Sequence, residues 1–232
     1  MDNTSPSYDI LVTGNSLKLG VGYLGMSNCT LIHTADGPIL FDVGGWVTRD
    51  MIRAGLERFG LTPKDISRVF LSHLHNDHVL NIDMFSYSTR VFVSRAEWDY
   101  VSNPNPKDDW IPWGVQDQLK KYNLTLLDDG QELSAGVRCF PVPGHTPGCY
   151  AVSLTLADGT TATLAGDAIK FPKEALRCWV DHAFDTQEIA AKSIKTIVEM
   201  SDVIVPGHFC PIQKRDGELT WDDSQEIALV VR

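Results

Sequence analysis

No stretch of this 232-residue chain approaches the roughly 18 consecutive apolar residues a membrane-crossing helix needs. The polar start MDNTSPSYD has no basic region followed by an apolar one, so nothing there reads as an export signal. The five cysteines, Cys29, Cys139, Cys149, Cys178 and Cys210, form no CxxC pair and are odd in number, which fits reduced thiols that serve mostly as small core residues. Together these absences lead to the expectation of a soluble, cytoplasmic protein with reduced thiols. Basic residues are also scarce: 20 Lys and Arg face 30 Asp and Glu, for a net charge of -10. Nucleic-acid affinity rests on cations that displace counterions from the phosphate backbone, so long RNA or DNA is a disfavoured partner.

Low-complexity segments and flexible linkers are missing as well. The longest turn-rich stretch, SNPNPKDDWIPWG from Ser102 to Gly114, carries tryptophans and is too short and aromatic to tether two domains. Residues 1–232 are therefore expected to form one domain, and a hydrophobic fraction of 43% suffices for a continuous core.

Strand and helix signals alternate along the chain. Asp36-Gly37 and Asp158-Gly159 punctuate two pairs of apolar runs as hairpin turns, and Asp216-Gly217 marks a third. Helical spacing of Met51, Ile52, Leu56 and Phe59 predicts a helix from Thr48 to Phe59, stopped by Gly60. A second helix, Asp185 to Met200, places Ile189, Ala190, Ile194, Ile197 and Val198 along one face. Each helix leads into a short apolar strand, SRVFLS before His73 and DVIV from Asp202. One strand-helix-strand block in each half predicts an α/β fold of two mixed sheets packed face to face with helices outside.

The densest chemical signal is HLHNDH, His73 to His78, with three imidazoles and a carboxylate in six positions. Neutral imidazole nitrogens and carboxylate oxygens are common ligands of zinc and neighbouring divalent metals. The preceding run reads as a buried strand, and residues two apart on a strand share a face. His73, His75 and Asp77 are thus expected to project together from a loop at the strand's C-terminal end rather than from a helix. Three more candidate ligands, His145 in VPGHTPG, Asp167 in LAGDA and His208 in VPGHF, each follow an apolar run and a glycine, which lets the backbone turn sharply at a sheet edge. His33 and His182 lack that context and read as ordinary structural histidines.

In order and spacing, HxHxDH followed by His145, Asp167 and His208 resembles the metallo-β-lactamase superfamily over about Gly14 to Phe209, and Asp42-Val43-Gly44-Gly45 is similar to that family's Asp-x-Gly turn. The resemblance implies an αβ/βα four-layer sandwich. It also implies two divalent metal ions, zinc first and iron, manganese or cobalt as alternatives. His73, His75 and His145 would hold one metal, Asp77, His78 and His208 the other, and Asp167 would bridge them. Asp42 is expected to stabilise its turn or orient a ligand.

An aspartate at 167 resembles the hydrolase branch more than the antibiotic-cleaving one. A metal pair roughly 3.5–4 Å apart can share a hydroxide, and Asp77 is the candidate catalytic residue for orienting it and passing a proton. The leading expectation is hydrolysis of a small lactone, ester or thioester, because the insert between His78 and His145 looks similar to lactonase-like members. A phosphodiesterase or ribonuclease comes second, since a small subgroup with ascribed RNA processing is also similar. A mononuclear iron persulfide dioxygenase comes third. Lys170 stands where similar lactonases carry a tyrosine, so it is a candidate for gripping an anionic group or for an ordinary ion pair. Tyr23 and Trp113 are candidate pocket residues, on two prospective coverings, Gly14 to Gly25 and the loop around Trp110 and Trp113. Sequence leaves the oligomeric state open.

Overall fold

The computed structural model describes residues 5–222 and 224; the first four residues of the polar start lie outside it. In the first half run β1 (Ser7–Val12), a small hairpin β2 (Lys18–Leu19) and β3 (Gly22–Tyr23), β4 (Cys29–His33), β5 (Ile39–Phe41), α1 (Arg49–Glu57), β6 (Arg68–Phe70), α2 (Asn76–Val79), β7 (Arg90–Ser94), α3 (Arg95–Tyr100), α4 (Val115–Leu119) and β8 (Asn123–Leu127). The second half adds β9 (Gln131–Ser134), β10 (Val137–Pro141), β11 (Tyr150–Thr155), β12 (Thr161–Gly166), α5 (Pro172–Arg177), α6 (Gln187–Met200), β13 (Val203–Pro206), β14 (Ile212–Arg215) and β15 (Glu218–Trp221).

Two mixed sheets result, in the orders β1-β4-β5-β6-β7-β8 and β15-β14-β13-β12-β11-β10-β9. The three expected turns each join antiparallel neighbours, β4 to β5, β11 to β12 and β14 to β15. Both strand-helix-strand blocks are parallel crossovers, β5-α1-β6 and β12-α6-β13.

Strand periodicity sorts the apolar side chains into three layers. Ile39, Phe41, Phe70 and Phe92 of the first sheet meet Val137, Val152, Leu164 and Val205 of the second in the central core. Their chain neighbours Leu40, Val69, Val91 and Val93 face the other way, onto Ile52 and Leu56 of α1. Ala151, Ala165 and Ile204 likewise turn outward, onto Ala190, Ile194 and Ile197 of α6. The central strands β5, β6, β7, β12 and β13 are thus buried on both faces over most of their length, which is why they read as mainly apolar runs rather than alternating ones. The expected αβ/βα sandwich is what forms.

Three expectations need correction. Met51 and Phe59 are exposed, because the buried stripe of a nine-residue helix covers little more than Ile52 and Leu56. β6 stops at Phe70 instead of running to Ser72. The strand-face argument therefore fails for Asp77, which lies with His78 in α2 and groups with His78 and His208 rather than with His73 and His75.

Phe70 is fully buried and its ring stacks on those of Phe41 and Phe92 at 5.7 and 6.3 Å between centroids. Truncation to alanine there is expected to cost about 3–5 kcal/mol of unfolding free energy. Chemical denaturation of F70A checks this; a loss below about 1 kcal/mol would mean the two sheets do not meet at this ring.

Candidate metal centre

The site begins where the central strands end. After β5, Asp42 adopts a left-handed conformation, φ 57°, and Gly44 another at 69°. That conformation costs a non-glycine residue of order 1–3 kcal/mol, and it persists only where surrounding contacts enforce it. Here the contacts are those of the buried Asp42 carboxylate. Ser72 donates its N–H to Oδ1 at 2.7 Å and its hydroxyl to Oδ2 at 2.8 Å, and His78 Nδ1 lies 2.8 Å from the same Oδ2.

His78 is one of five rings restrained in this way. With protons assigned from their acceptors, His75 Nε2 donates to Asp108 Oδ2 at 3.0 Å, His145 Nδ1 to the His182 carbonyl at 2.8 Å, and His208 Nδ1 to the Met26 carbonyl at 3.0 Å. Ser72 Oγ has given its own proton to Asp42, so at 3.0 Å it accepts from His73 Nδ1. Each imidazole therefore has one nitrogen committed as a donor, and its other nitrogen presents a lone pair.

These five lone pairs converge on one another and on two carboxylates. His75 Nδ1 and His145 Nε2 are 3.0 Å apart. Asp167 stands in the middle: Oδ2 lies 3.4 Å from His145 Nε2, and Oδ1 lies 3.2 Å from both His78 Nε2 and His208 Nε2. Asp77 Oδ2 completes the far side, 3.3 Å from His208 Nε2 and 3.8 Å from His78 Nε2. The donors fall into three overlapping groups able to hold an ion: His73, His75 and His145; His73, His78 and Asp167; Asp77, His78 and His208.

Opposed lone pairs in a dry interior repel, and a folded chain leaves few buried polar atoms without partners. Yet His73 Nε2, His78 Nε2 and Asp167 Oδ1 are buried with no hydrogen-bond partner. A cation satisfies all of them at once, so the residues fit divalent metal binding, and nitrogen with oxygen donors suits zinc, iron, manganese or cobalt. Electrostatics agree. Burial holds the His73 and His145 rings well towards their neutral form. Burial also disfavours charge on His78 and His208, but the field of Asp167 and Asp77 overcomes it and raises both. Negative potential that favours a proton on those rings favours a metal cation equally.

The backbone is shaped to this end. Gly207 passes so close to Asp167 that a Cβ there would sit 2.1 Å from Oδ1. Asn28 fastens the His208 loop by donating its side-chain amide to the carbonyl of Phe209 at 2.8 Å, while its Oδ1 accepts from Gly14 N at 2.6 Å.

Above the donors lies a cavity of about 720 Å³. Its wall includes Asp77, His75, His145, Asp167 and His208 at the floor, Leu17, Tyr23, Val47, Leu80, Trp110 and Phe171 as apolar sides, and the lysines Lys18, Lys170 and Lys173. Of the seven donors, Asp77 is the most open, its side chain 27% exposed. Lys170 is buried and places its ammonium 3.3 Å from Glu174, so it both lines the cavity and forms an ion pair. Tyr23 also lines it, edge-on to Trp110 at 5.0 Å.

Trp113 is a correction: it is fully exposed and outside the cavity wall, where Trp110 stands instead. Gly114, left-handed at φ 71°, caps α4, and the turn leading into it leaves Trp113 in solvent. The loop around these tryptophans is anchored, since Trp110 accepts at its carbonyl from Asn76 N and Asp108 holds His75. Asp108 and the buried Glu97 went unnoticed in the sequence, because nothing in the spacing of a lone acidic residue announces its partner. His182 accepts at its carbonyl from His145 and also lines the cavity, and His33 pairs with Asp9 in the first sheet, far along the chain from any donor.

A dense set of metal-ready donors at the rim of two face-packed sheets defines a class, the metal-dependent hydrolases of the αβ/βα sandwich. Residues 22–208 match the family model described as the metallo-beta-lactamase superfamily, and the chain belongs to that superfamily. It is similar to an N-acyl homoserine lactonase of Bacillus cereus, 27% identical over 82% of this chain and 80% of that protein. It is also similar to metallo-beta-lactamase domain-containing protein 1 of Rattus norvegicus, 28% identical over 87% of this chain and 73% of that one. Among solved structures, an N-acyl homoserine lactone hydrolase with N-hexanoyl-L-homoserine bound at its catalytic metal centre shares the fold with a TM-score of 0.72, at 22% identity over 90% of this chain and 94% of that one.

Asp42→Ala removes the acceptors of both Ser72 and His78. The His78 ring then loses the partner that keeps its inner nitrogen unprotonated, and metal affinity is expected to fall about 10–100-fold. Metal content after dialysis against a competing chelator reads the change; retention equal to the native protein's would refute the tautomer argument.

Proposed function

We propose that this protein hydrolyses a small carbonyl compound, a lactone, ester or thioester, with a pair of divalent metals, zinc first among them. His73, His75 and His145 would hold one and Asp77, His78 and His208 the other, with Asp167 shared between them. The observation that carries the reading is the convergence of unpartnered lone pairs at the floor of a largely apolar cavity. When bound, such a pair supplies Lewis acidity, acidifying water towards neutrality and polarising a carbonyl oxygen.

The chain's own residues do the rest. Asp167, with one oxygen towards each donor group, keeps the two groups at a fixed separation. The Asp77 carboxylate, open to the cavity, accepts a proton from the attacking water and returns it to the departing oxygen or sulfur. Tyr23, Trp110 and Phe171 exclude water and hold the apolar body of the substrate. The ammonium of Lys170 donates to a carboxylate or another electron-rich group at the edge of the reacting carbonyl.

A volume of about 720 Å³ suits a small molecule. Phosphodiester cleavage is a second reading because three lysines line the wall. The lysine count weighs little, since Lys170 and Lys173 already pair with Glu174 and Asp181.

Metal analysis of the purified protein and a panel of a lactone, a thioester and bis-p-nitrophenyl phosphate test the reading together. Two metals per chain and preference for the carbonyl substrates are expected; one iron per chain, or preference for the phosphodiester, would displace it. Asp167→Ala is expected to abolish turnover and to weaken metal retention, and normal turnover in that variant would end the shared-ligand assignment. Lys170→Met, checked for folding because it strands Glu174, is expected to raise KM for carboxylate-bearing substrates more than for neutral ones. An equal change for both would reduce Lys170 to a structural ion pair.

A further inference from the structure

Helix α3 opens with Ser94-Arg95-Ala96-Glu97, the spacing of a capping box, in which the acidic residue normally reaches back to the N–H of the capping residue. Half of the box forms: Ser94 Oγ accepts from Glu97 N at 2.9 Å. The other half is diverted. Glu97 sends its carboxylate away from the helix, where Oε1 accepts from Leu74 N at 2.9 Å and Oε2 accepts from Thr146 Oγ1 at 2.6 Å.

Both partners adjoin metal-ready histidines. Leu74 lies between His73 and His75 on the loop after β6, in the first sheet, and Thr146 follows His145 on the loop after β10, in the second. Ser94 adds a parallel tie by donating its hydroxyl to the Gly148 carbonyl at 2.6 Å. Gly148 lies against the same helix start so closely that a Cβ there would come within 2.0 Å of Glu97 N. Glu97 is fully buried, Leu74 and Thr146 equally so.

Burying a carboxylate is expensive, and an apolar residue of that size would fill the space without the cost. What an apolar residue cannot do is accept two hydrogen bonds from two loops at once. The gap the two loops must keep is that between His75 Nδ1 and His145 Nε2, now 3.0 Å.

We propose that Glu97 is a positioning residue for the three-histidine metal position: its single carboxylate fixes the His73–His75 loop against the His145 loop across the two sheets. The position formed by Asp77, His78 and His208 has no hydrogen bond to Glu97 and does not depend on it. The inference rests on the metal reading above, and the experiment separates the two.

The full chain, purified with its metal, is dialysed against a graded series of a zinc chelator and zinc per chain is measured. In Glu97→Met, of similar volume but with no acceptor, one of the two equivalents is expected to leave at about tenfold lower chelator concentration, the size of effect seen when a ligand's supporting partner is removed. The second equivalent is expected to leave where the native one does. Glu97→Gln keeps an acceptor for Leu74 and can turn its amide towards Thr146, so it is expected to restore most of the retention. Thr146→Val removes one arm only and carries the test if Glu97→Met does not fold. In a His208→Ala background, which leaves the three-histidine position, the shift is expected to persist.

Native-like retention of both equivalents in folded Glu97→Met or Thr146→Val overturns the proposal, as does an equal shift of both. Native protein that binds neither zinc nor iron, manganese or cobalt would instead overturn the metal reading itself.

Discussion

The arrangement on which this molecule turns is a set of lone pairs aimed at one another in a dry interior. Five imidazoles are each tied by one nitrogen to an acceptor, Asp42, Asp108, two main-chain carbonyls or the Ser72 hydroxyl, so their other nitrogens face inward as acceptors. Two carboxylates face the same space. Left to itself such a cluster is repulsive, and it is tolerable only because the surrounding sandwich holds it and a cation can reconcile it. The left-handed backbone at Asp42, the close approach of Gly207 to Asp167 and the diverted cap at Glu97 all adjoin those groups and help to hold them.

The fold supplies the holding force by placing the donors where central strands end. Asp42 follows β5, His73 and His75 follow β6, Asp167 follows β12, and His208 follows β13, all at the C-terminal ends of parallel neighbours. Central strands buried on both faces are densely packed, and side chains just beyond their ends are held more precisely than those on free loops. The apolar wall above is drawn from pieces outside the two sheets, the β2-β3 hairpin and the turns around Trp46 and Trp110. A rigid floor beneath variable walls is how one scaffold serves different substrates, and it is why membership of a superfamily leaves the substrate of this chain a separate question.

Much of the architecture was legible in the residues. Asp-Gly turns between apolar runs located three hairpins, and helical spacing located α1 and α6, because local conformational preference and burial pattern agreed there. The periodicity argument failed where local and global demands parted. SRVFLS is apolar enough to be strand throughout, yet pairing stops at Phe70. Met51 and Phe59 carry the right residue type at the right spacing but remain exposed, Phe59 with its ring against His33. Trp113 was as plausible a pocket residue as Trp110, and only the turn at Gly114 separates them.

By itself the sequence determined which groups can bind metal, because HLHNDH, His145, Asp167 and His208 are a matter of side-chain chemistry and order. It also determined the layered α/β plan, since two-faced apolar strands have few other ways to be covered. Only the tertiary structure decided which nitrogen of each ring points inward, and that Asp108 and Glu97 are tied to the loops of the centre at all. Those outcomes depend on hydrogen bonds between residues tens of positions apart, His75 to Asp108 and Glu97 to Thr146 among them. The direction of such a bond is set by the packing of one sheet on the other, which no local spacing encodes.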